Sequence, residues 1–182
     1  MPTIAQKLGH QKNSIDYDFN TYRRQHNSFF ANKEEEMNIR YQNLQDVLTV
    51  MLKSNIFHWL QGKTMLGIAK YSGLLPDDSD EDIGTDISNL DKVCHEVIPK
   101  LEELGFTVIR ATENNSMVTV MRKHRYIDIC FFQEDGKGNY YYEQKVFPRN
   151  FYSSQLVFFR VNEFDYPVPD MYTEICRYSY NV

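Results

Sequence analysis

Asp80, Asp82 and Asp128 are the residues of this 182-residue chain best suited to chemistry. Asp80-Glu81-Asp82 reads as part of a strand, and side chains alternate across a strand, so both aspartates point to one face and Glu81 to the other. Carboxylates about 7 Å apart along a strand can share divalent ions. Mg²⁺ suits such a sparse set, because it keeps waters and takes further ligands from substrate phosphates. Asp128, between Ile127 and Ile129 on a second short strand, can supply a third ligand if the two strands lie side by side. Upstream, Gly62-Lys63-Thr64-Met65-Leu66-Gly67 forms a glycine-hydroxyl turn entering a helix, where backbone N–H groups can cradle a phosphate. A phosphate turn with three convergent acids is the equipment of a metal-dependent phosphoryl- or nucleotidyl-transferase.

Blander readings compete. Asp77 to Asp82 has the composition of an ordinary solvated loop. Asp78, Asp80 and Asp82 also have the spacing of a calcium loop, but Ile83 takes the glycine position and Asn89 the place of the closing glutamate. A P-loop needs a glycine where Phe57 stands. Glu34-Glu35-Glu36 suits the start of a helix rather than a site. Arg122-Lys123-His124-Arg125 reads either as a solvated hairpin end or as a contact to substrate phosphate. The histidines, His58 and His95 among them, show no ligand spacing.

These residues need elements to hold them. Asn32 with Glu35 reads as a helix N-cap with a capping-box partner. Leu44, Val47, Leu48, Met51 and Leu52 then recur at helical spacing, which gives a helix over residues 33–54. Ile56 to Leu60 is a short buried strand, Thr64 to Ser72 a short helix, and Asp80 to Ile87 a second strand. Asn89 to Leu104 is a helix stopped by Gly105 and kinked or broken at Pro99. Phe106–Arg110, Met117–Arg122 and Tyr126–Phe132 follow as strands, and Gly136 to Asn139 turns the chain into Tyr140-Tyr141-Tyr142. The last forty residues are aromatic and punctuated by Pro148, Pro167 and Pro169, with a final helix over 170–178. Early helices and later, mainly antiparallel strands give an α+β class. Residues 1–31, with Lys12, Arg23 and Arg24 among many amides, read as an arm packed on a single domain over 32–182.

The bulk numbers narrow the setting. A formal charge of −5 argues against a nucleic acid as main partner but leaves room for a nucleotide held through metal. No apolar run approaches the roughly 20 residues of a membrane span, and no signal-peptide core opens the chain. Cys94, Cys130 and Cys176 are scattered and odd in number, as expected of free thiols in a reducing compartment, and the cytoplasm is the expected location.

Trp59-Leu60, Gly62-Lys63-Thr64-Met65-Leu66-Gly67, Lys70, Gly73, Pro76 and Asp78, Asp80, Asp82, Ile83 and Gly84 together resemble the LicD/fukutin family, of the nucleotidyltransferase-fold superfamily. Ile127-Asp128-Ile129 stands where the family's third acid strand belongs. Tyr166-Pro167-Val168-Pro169 and Tyr172 through Tyr180 resemble its closing proline strand and helix. The resemblance implies a nucleotidyltransferase-like mixed sheet with helices packed on it. It also implies transfer of a phosphorylated alcohol, such as phosphocholine or ribitol phosphate, from a CDP-activated donor to a carbohydrate hydroxyl. By that analogy Asp80, Asp82 and Asp128 hold Mg²⁺ or Mn²⁺, with Asp128 completing the site or acting as base. Gly62, Lys63, Thr64 and Gly67 shape the phosphate turn, and Lys70 stands in for a family arginine.

Several positions depart from that pattern. Lys63 replaces a glycine, Asp77 an aromatic residue and Ser79 an acid. Glu81 sits where an apolar side chain packs inward, so its charge requires a partner or incomplete burial. Tyr178-Ser179-Tyr180 replaces a Tyr-Gly ending. Transfer of NMP to a small molecule or protein, and an inactive binding module of the same fold, are the alternative readings. Oligomeric state is not legible. The aromatic residues of the last third read as core, or as a stacking surface for a sugar.

Overall fold

The computed structural model describes residues 1–25, 29–152 and 155–182, without the side chains of Arg23 and Arg24. The arm expected over residues 1–31 therefore falls partly outside the described residues, at 26–28. Its described part begins with α1 (Ile4–Lys7) and α2 (Phe19–Gln25). Ile4 and Ala5 are fully buried in the main core. The long α3 (Lys33–Lys53) starts where Asn32 accepts a hydrogen bond from Glu35 N at 2.9 Å. Glu35 accepts in return from Ala31 N, one residue earlier than in a standard capping box.

β1 (His58–Gln61) is buried throughout and leads directly into α4 (Gly62–Tyr71). β2 (Glu81–Asp86) pairs antiparallel with β1 on one side. The Trp59–Gly84 pair explains why glycine is needed here: a Cβ on Gly84 would lie 2.3 Å from the Trp59 indole nitrogen. Trp59 is thus seated over bare backbone, and stacks on Tyr152 with ring centroids 5.2 Å apart.

The helix expected from Asn89 to Leu104 is continuous but not uniform. A 3₁₀ turn (Ile87–Asn89) leads into α5 (Leu90–Lys92), a π-turn (Val93–Val97) and α6 (Ile98–Glu103). Pro99 supplies no N–H and crowds the carbonyl four residues back, so the wider π-turn ahead of it absorbs the misfit. Gly105 ends the element at φ +86°.

β3 (Thr107–Ala111), β4 (Met117–Arg122) and β5 (Arg125–Glu134) form an antiparallel meander. β5 then lies parallel to β2, giving the order β1-β2-β5-β4-β3. β6 (Asn139–Tyr142) and β7 (Lys145–Pro148) extend the sheet from the end of β5. A separate hairpin, β8 (Leu156–Val161) and β9 (Phe164–Pro169), turns at Asn162-Glu163. α7 (Tyr172–Tyr180) closes the described chain two residues later than expected. The result is an α+β fold with a mixed sheet and helices packed on it. Cys94, Cys130 and Cys176 are free and buried.

Candidate functional site

The parallel pairing of β2 and β5 does the decisive positioning. It sets Asp82 directly opposite Asp128, with Glu81 opposite Ile127 and Ile83 opposite Ile129. Paired residues in register point to the same face, so the two aspartates converge while their apolar neighbours fill the other side. Asp80, just before β2, joins them. One carboxylate oxygen from each of the three lies within 4.8 Å of the others. Glu81 goes to the opposite face, as alternation requires, and is fully buried there beside Arg40.

Asp80 and Asp82 line a cavity of about 650 Å³. Gln61, Gly62, Lys63 and Asp78 share its polar wall. Tyr142, Phe147, Tyr152 and Tyr178 line the other side. Gly62 has φ +62°, and a Cβ there would stand 2.7 Å from Asp82 Oδ2, so only glycine lets the turn back onto the acid. Lys63 reaches across to Asp78 Oδ1 at 3.4 Å.

The remaining candidates are placed differently. Thr64 is buried, and its hydroxyl accepts a 2.9 Å hydrogen bond from Asp82 N, tying α4 to the acid strand rather than facing the cavity. Gly67 is a packing position: a Cβ would meet the Gly73 carbonyl at 2.6 Å. Lys70 is exposed in the last turn of α4 and is not brought to the cavity wall. The basic cluster is the end of the β4–β5 hairpin, as one of its two readings has it, with Lys123 and His124 exposed at the turn, but its arginines are paired within the protein. Arg122 pairs with Asp46 at 2.5 Å, Arg125 is buried against Glu36, and His124 stacks on Phe29 at 4.1 Å.

Sequence reasoning missed two partners of Asp128. The Thr119 hydroxyl donates to Oδ1 at 2.5 Å, and Arg110 Nη2 donates to Oδ2 at 2.7 Å. Phe19 of the arm lies under the Arg110 guanidinium, 4.6 Å from carbon to ring centroid. Thr119 was within reach of the sequence. The turn at Lys123-His124 sets Arg122 against Arg125, and counting back places Thr119 against Asp128. No such count reaches Arg110, because β3 returns through a register shift between Val108 and Arg110.

Burial dominates the electrostatics. It raises the Asp82 carboxyl well above the usual range, and the charges of Asp80 and Asp128 add to the effect. Asp128 is pushed up to about 6 by burial, with Arg110 and the Thr119 hydrogen bond opposing. Asp78 is raised by burial and by Asp80, with Lys63 opposing. Crowded, partly desolvated carboxylates ionise reluctantly without a counter-charge. Three hard oxygens at this spacing fit a divalent ion of the Mg²⁺ class, which would supply that counter-charge.

Several known proteins resemble this chain. An uncharacterized protein of Rickettsia prowazekii (strain Madrid E) is 36% identical over 69 residues, covering 37% of this chain and 25% of that protein. One of Rickettsia typhi (strain ATCC VR-144 / Wilmington) is 25% identical over 120 residues, covering 59% of this chain and 37% of that protein. The chain therefore spans well under half the length of these two curated relatives. Among solved structures, the lincosamide antibiotic adenylyltransferase LnuA, lincomycin-bound, matches with TM-score 0.49 and 18% identity, covering 78% of this chain and 87% of that one. The family described as LicD/FKTN/FKRP, nucleotidyltransferase domain, matches residues 55–171, which include all three acids and the glycine turn. By that match the chain belongs to the LicD/FKTN/FKRP family.

Proposed function

We propose that this domain moves a phosphorylated alcohol, of the phosphocholine or ribitol-phosphate kind, from a CDP-activated donor to a glycan hydroxyl. The observation that carries the reading is the convergence of Asp80, Asp82 and Asp128, the first two of which line a cavity large enough for a nucleotide. Asp80 and Asp82 would hold Mg²⁺ or Mn²⁺, with Asp128 completing the set. Such an ion would neutralise phosphate oxygens and favour in-line displacement.

The chain's own residues supply the rest. Lys63 can leave Asp78 to meet a donor phosphate, and the start of α4, where Gly62 and Lys63 line the cavity, suits an anion. The acceptor oxygen bonds to the phosphorus that carries the alcohol. The anhydride bond to CMP breaks, and CMP leaves with the electron pair. The acceptor proton passes to a general base, the role Asp128 takes where Asp80 and Asp82 alone hold the ion. Tyr142, Phe147 and Tyr178 limit water around the reacting groups. Buried free thiols and a nucleotide donor suit the cytoplasm. Among the described residues no helix is long and apolar enough to cross a membrane.

The test is a thermal-shift and transfer screen with Mn²⁺ or Mg²⁺ against CDP-choline, CDP-ribitol, CTP, ATP and UDP-sugars, with Asp80→Ala/Asp82→Ala as control. A metal-dependent shift selective for a CDP-alcohol, lost in the control, is expected. Preference for a nucleoside triphosphate with release of pyrophosphate would replace this reading with nucleotidyl transfer. No metal-dependent response in a folded protein would leave an inactive module.

A further inference from the structure

Behind the acids, on the opposite face of β2, lies a group of charges that the proposed chemistry does not use. Glu81 and Arg125 are fully buried and Arg40 is 1% exposed. Arg40 Nε donates to Glu81 Oε1 at 2.6 Å, and Arg125 Nη1 lies 3.1 Å from Glu36 Oε1. Among the described residues the second Glu81 oxygen, which is buried, has no hydrogen-bond partner. Buried ion pairs of this kind are weak stabilisers, and well-packed apolar residues in their place are often as stable or more so. A half-satisfied carboxylate there is a stability cost that asks for another role.

The arginine forks indicate what that role is. Arg40 Nη1 donates to the Leu75 carbonyl at 2.9 Å, and Arg125 Nη2 to the Asp78 carbonyl at 3.3 Å. Both carbonyls belong to the segment between α4 and β2 that carries Asp78 and Asp80. Asp82 and Asp128 are fixed by sheet pairing, whereas Asp80 precedes the strand and has no ladder to hold it. Glu81 follows Asp80 directly and is anchored to α3 through Arg40.

We propose that Arg40, Glu81 and Arg125 form a positioning clamp that holds the Leu75–Asp80 segment, so that Asp80 meets Asp82 and Asp128 at ligand spacing. The clamp rests on the metal-binding reading of the acids, and acts through backbone rather than by touching substrate. With Glu36, the partner of Arg125, its charges balance, so the group adds no net charge behind the site.

The test replaces Arg40 and Glu81 together, Arg40→Met/Glu81→Leu, which removes one charge of each sign and keeps the face filled. Direct Mn²⁺ titration of the metal-free protein and thermal unfolding are measured side by side. Mn²⁺ affinity should weaken by about tenfold, the scale of lost supporting partners, while Tm stays level or rises. Turnover should fall with donor KM little changed. Arg125→Lys keeps the charge but loses the planar fork to the Asp78 carbonyl, and should weaken Mn²⁺ in the same direction whether or not the double variant folds. Wild-type Mn²⁺ affinity in either folded variant would overturn the clamp and leave a plain core ion pair. A wild-type protein that binds no Mn²⁺ would overturn the metal reading itself, and the clamp with it.

Discussion

Burial holds the Asp82 and Asp128 carboxyls above their ordinary range, and this has a measurable sign. An acid whose folded pKa is raised binds more protons folded than unfolded. Its stabilising contribution is therefore present below the unfolded value of 3.8 and is lost as pH rises through the folded value, about 6 for Asp128. The Tm gain of metal-free Asp82→Asn/Asp128→Asn over wild type should accordingly grow from pH 4 to pH 7, and disappear when saturating Mn²⁺ is added to the wild type. A constant difference across that range would contradict the assignment. Arg110 pulls the Asp128 pKa down, so Arg110→Met should move the acid limb of the pH–activity profile to higher pH. Gly62→Ala should lose about 1–2 kcal/mol by denaturant titration, since φ is positive there. It should also weaken Mn²⁺ binding, because the new methyl group would press on Asp82.

At the scale of elements, the acids were legible because a strand announces itself by alternation and a metal site by its carboxylates. The partners of those acids were less so. Thr119 follows from hairpin counting, whereas Arg110 depends on a register shift and Arg40 on which face of α3 meets the sheet. Glu81 was recognised as a charge needing a partner, and only the packing of α3 shows which one. The second strand of the β8–β9 hairpin was legible only through the resemblance, as Tyr166-Pro167-Val168-Pro169, while Leu156–Val161 and the turn that joins them went unread. Its signal was Asn162-Glu163, both at positive φ, which forms a two-residue turn without the usual glycine. Trp59 and Gly84 belong to the motif for a steric reason. Gly84→Ala should cost about 1–3 kcal/mol by overpacking and shift the emission of Trp59, the single tryptophan.

Across the whole molecule, the described part of the arm is bound into the domain along its length, with a backbone bridge from Ile15 to Ala111 between its two helices. Ile4 and Ala5 enter the main core, while Phe19 and Tyr22 of α2 lie over β3–β5, with Tyr22 donating to the His124 carbonyl at 2.6 Å. We propose that the arm is an integral part of the domain. Ile4→Ala should then destabilise the protein by about 2–5 kcal/mol. Phe19→Ala should leave stability closer to wild type but reproduce, in weaker form, the pH shift of Arg110→Met, since Phe19 supports that guanidinium. Equal pH profiles for Phe19→Ala and wild type would separate the arm from the site.

The parallel pairing of β2 with β5 carries a temporal consequence. During synthesis Asp80 and Asp82 leave the ribosome first, and Asp128 follows only after α5, α6, β3 and β4 have been made. A nascent chain halted before β5 lacks the third acid, with Gln61 of β1 beside Asp82 but no Asp128 on its other side. Tight capture of the ion thus becomes a late event, and an arrested chain that already retained Mn²⁺ as strongly as the finished one would be inconsistent with this order.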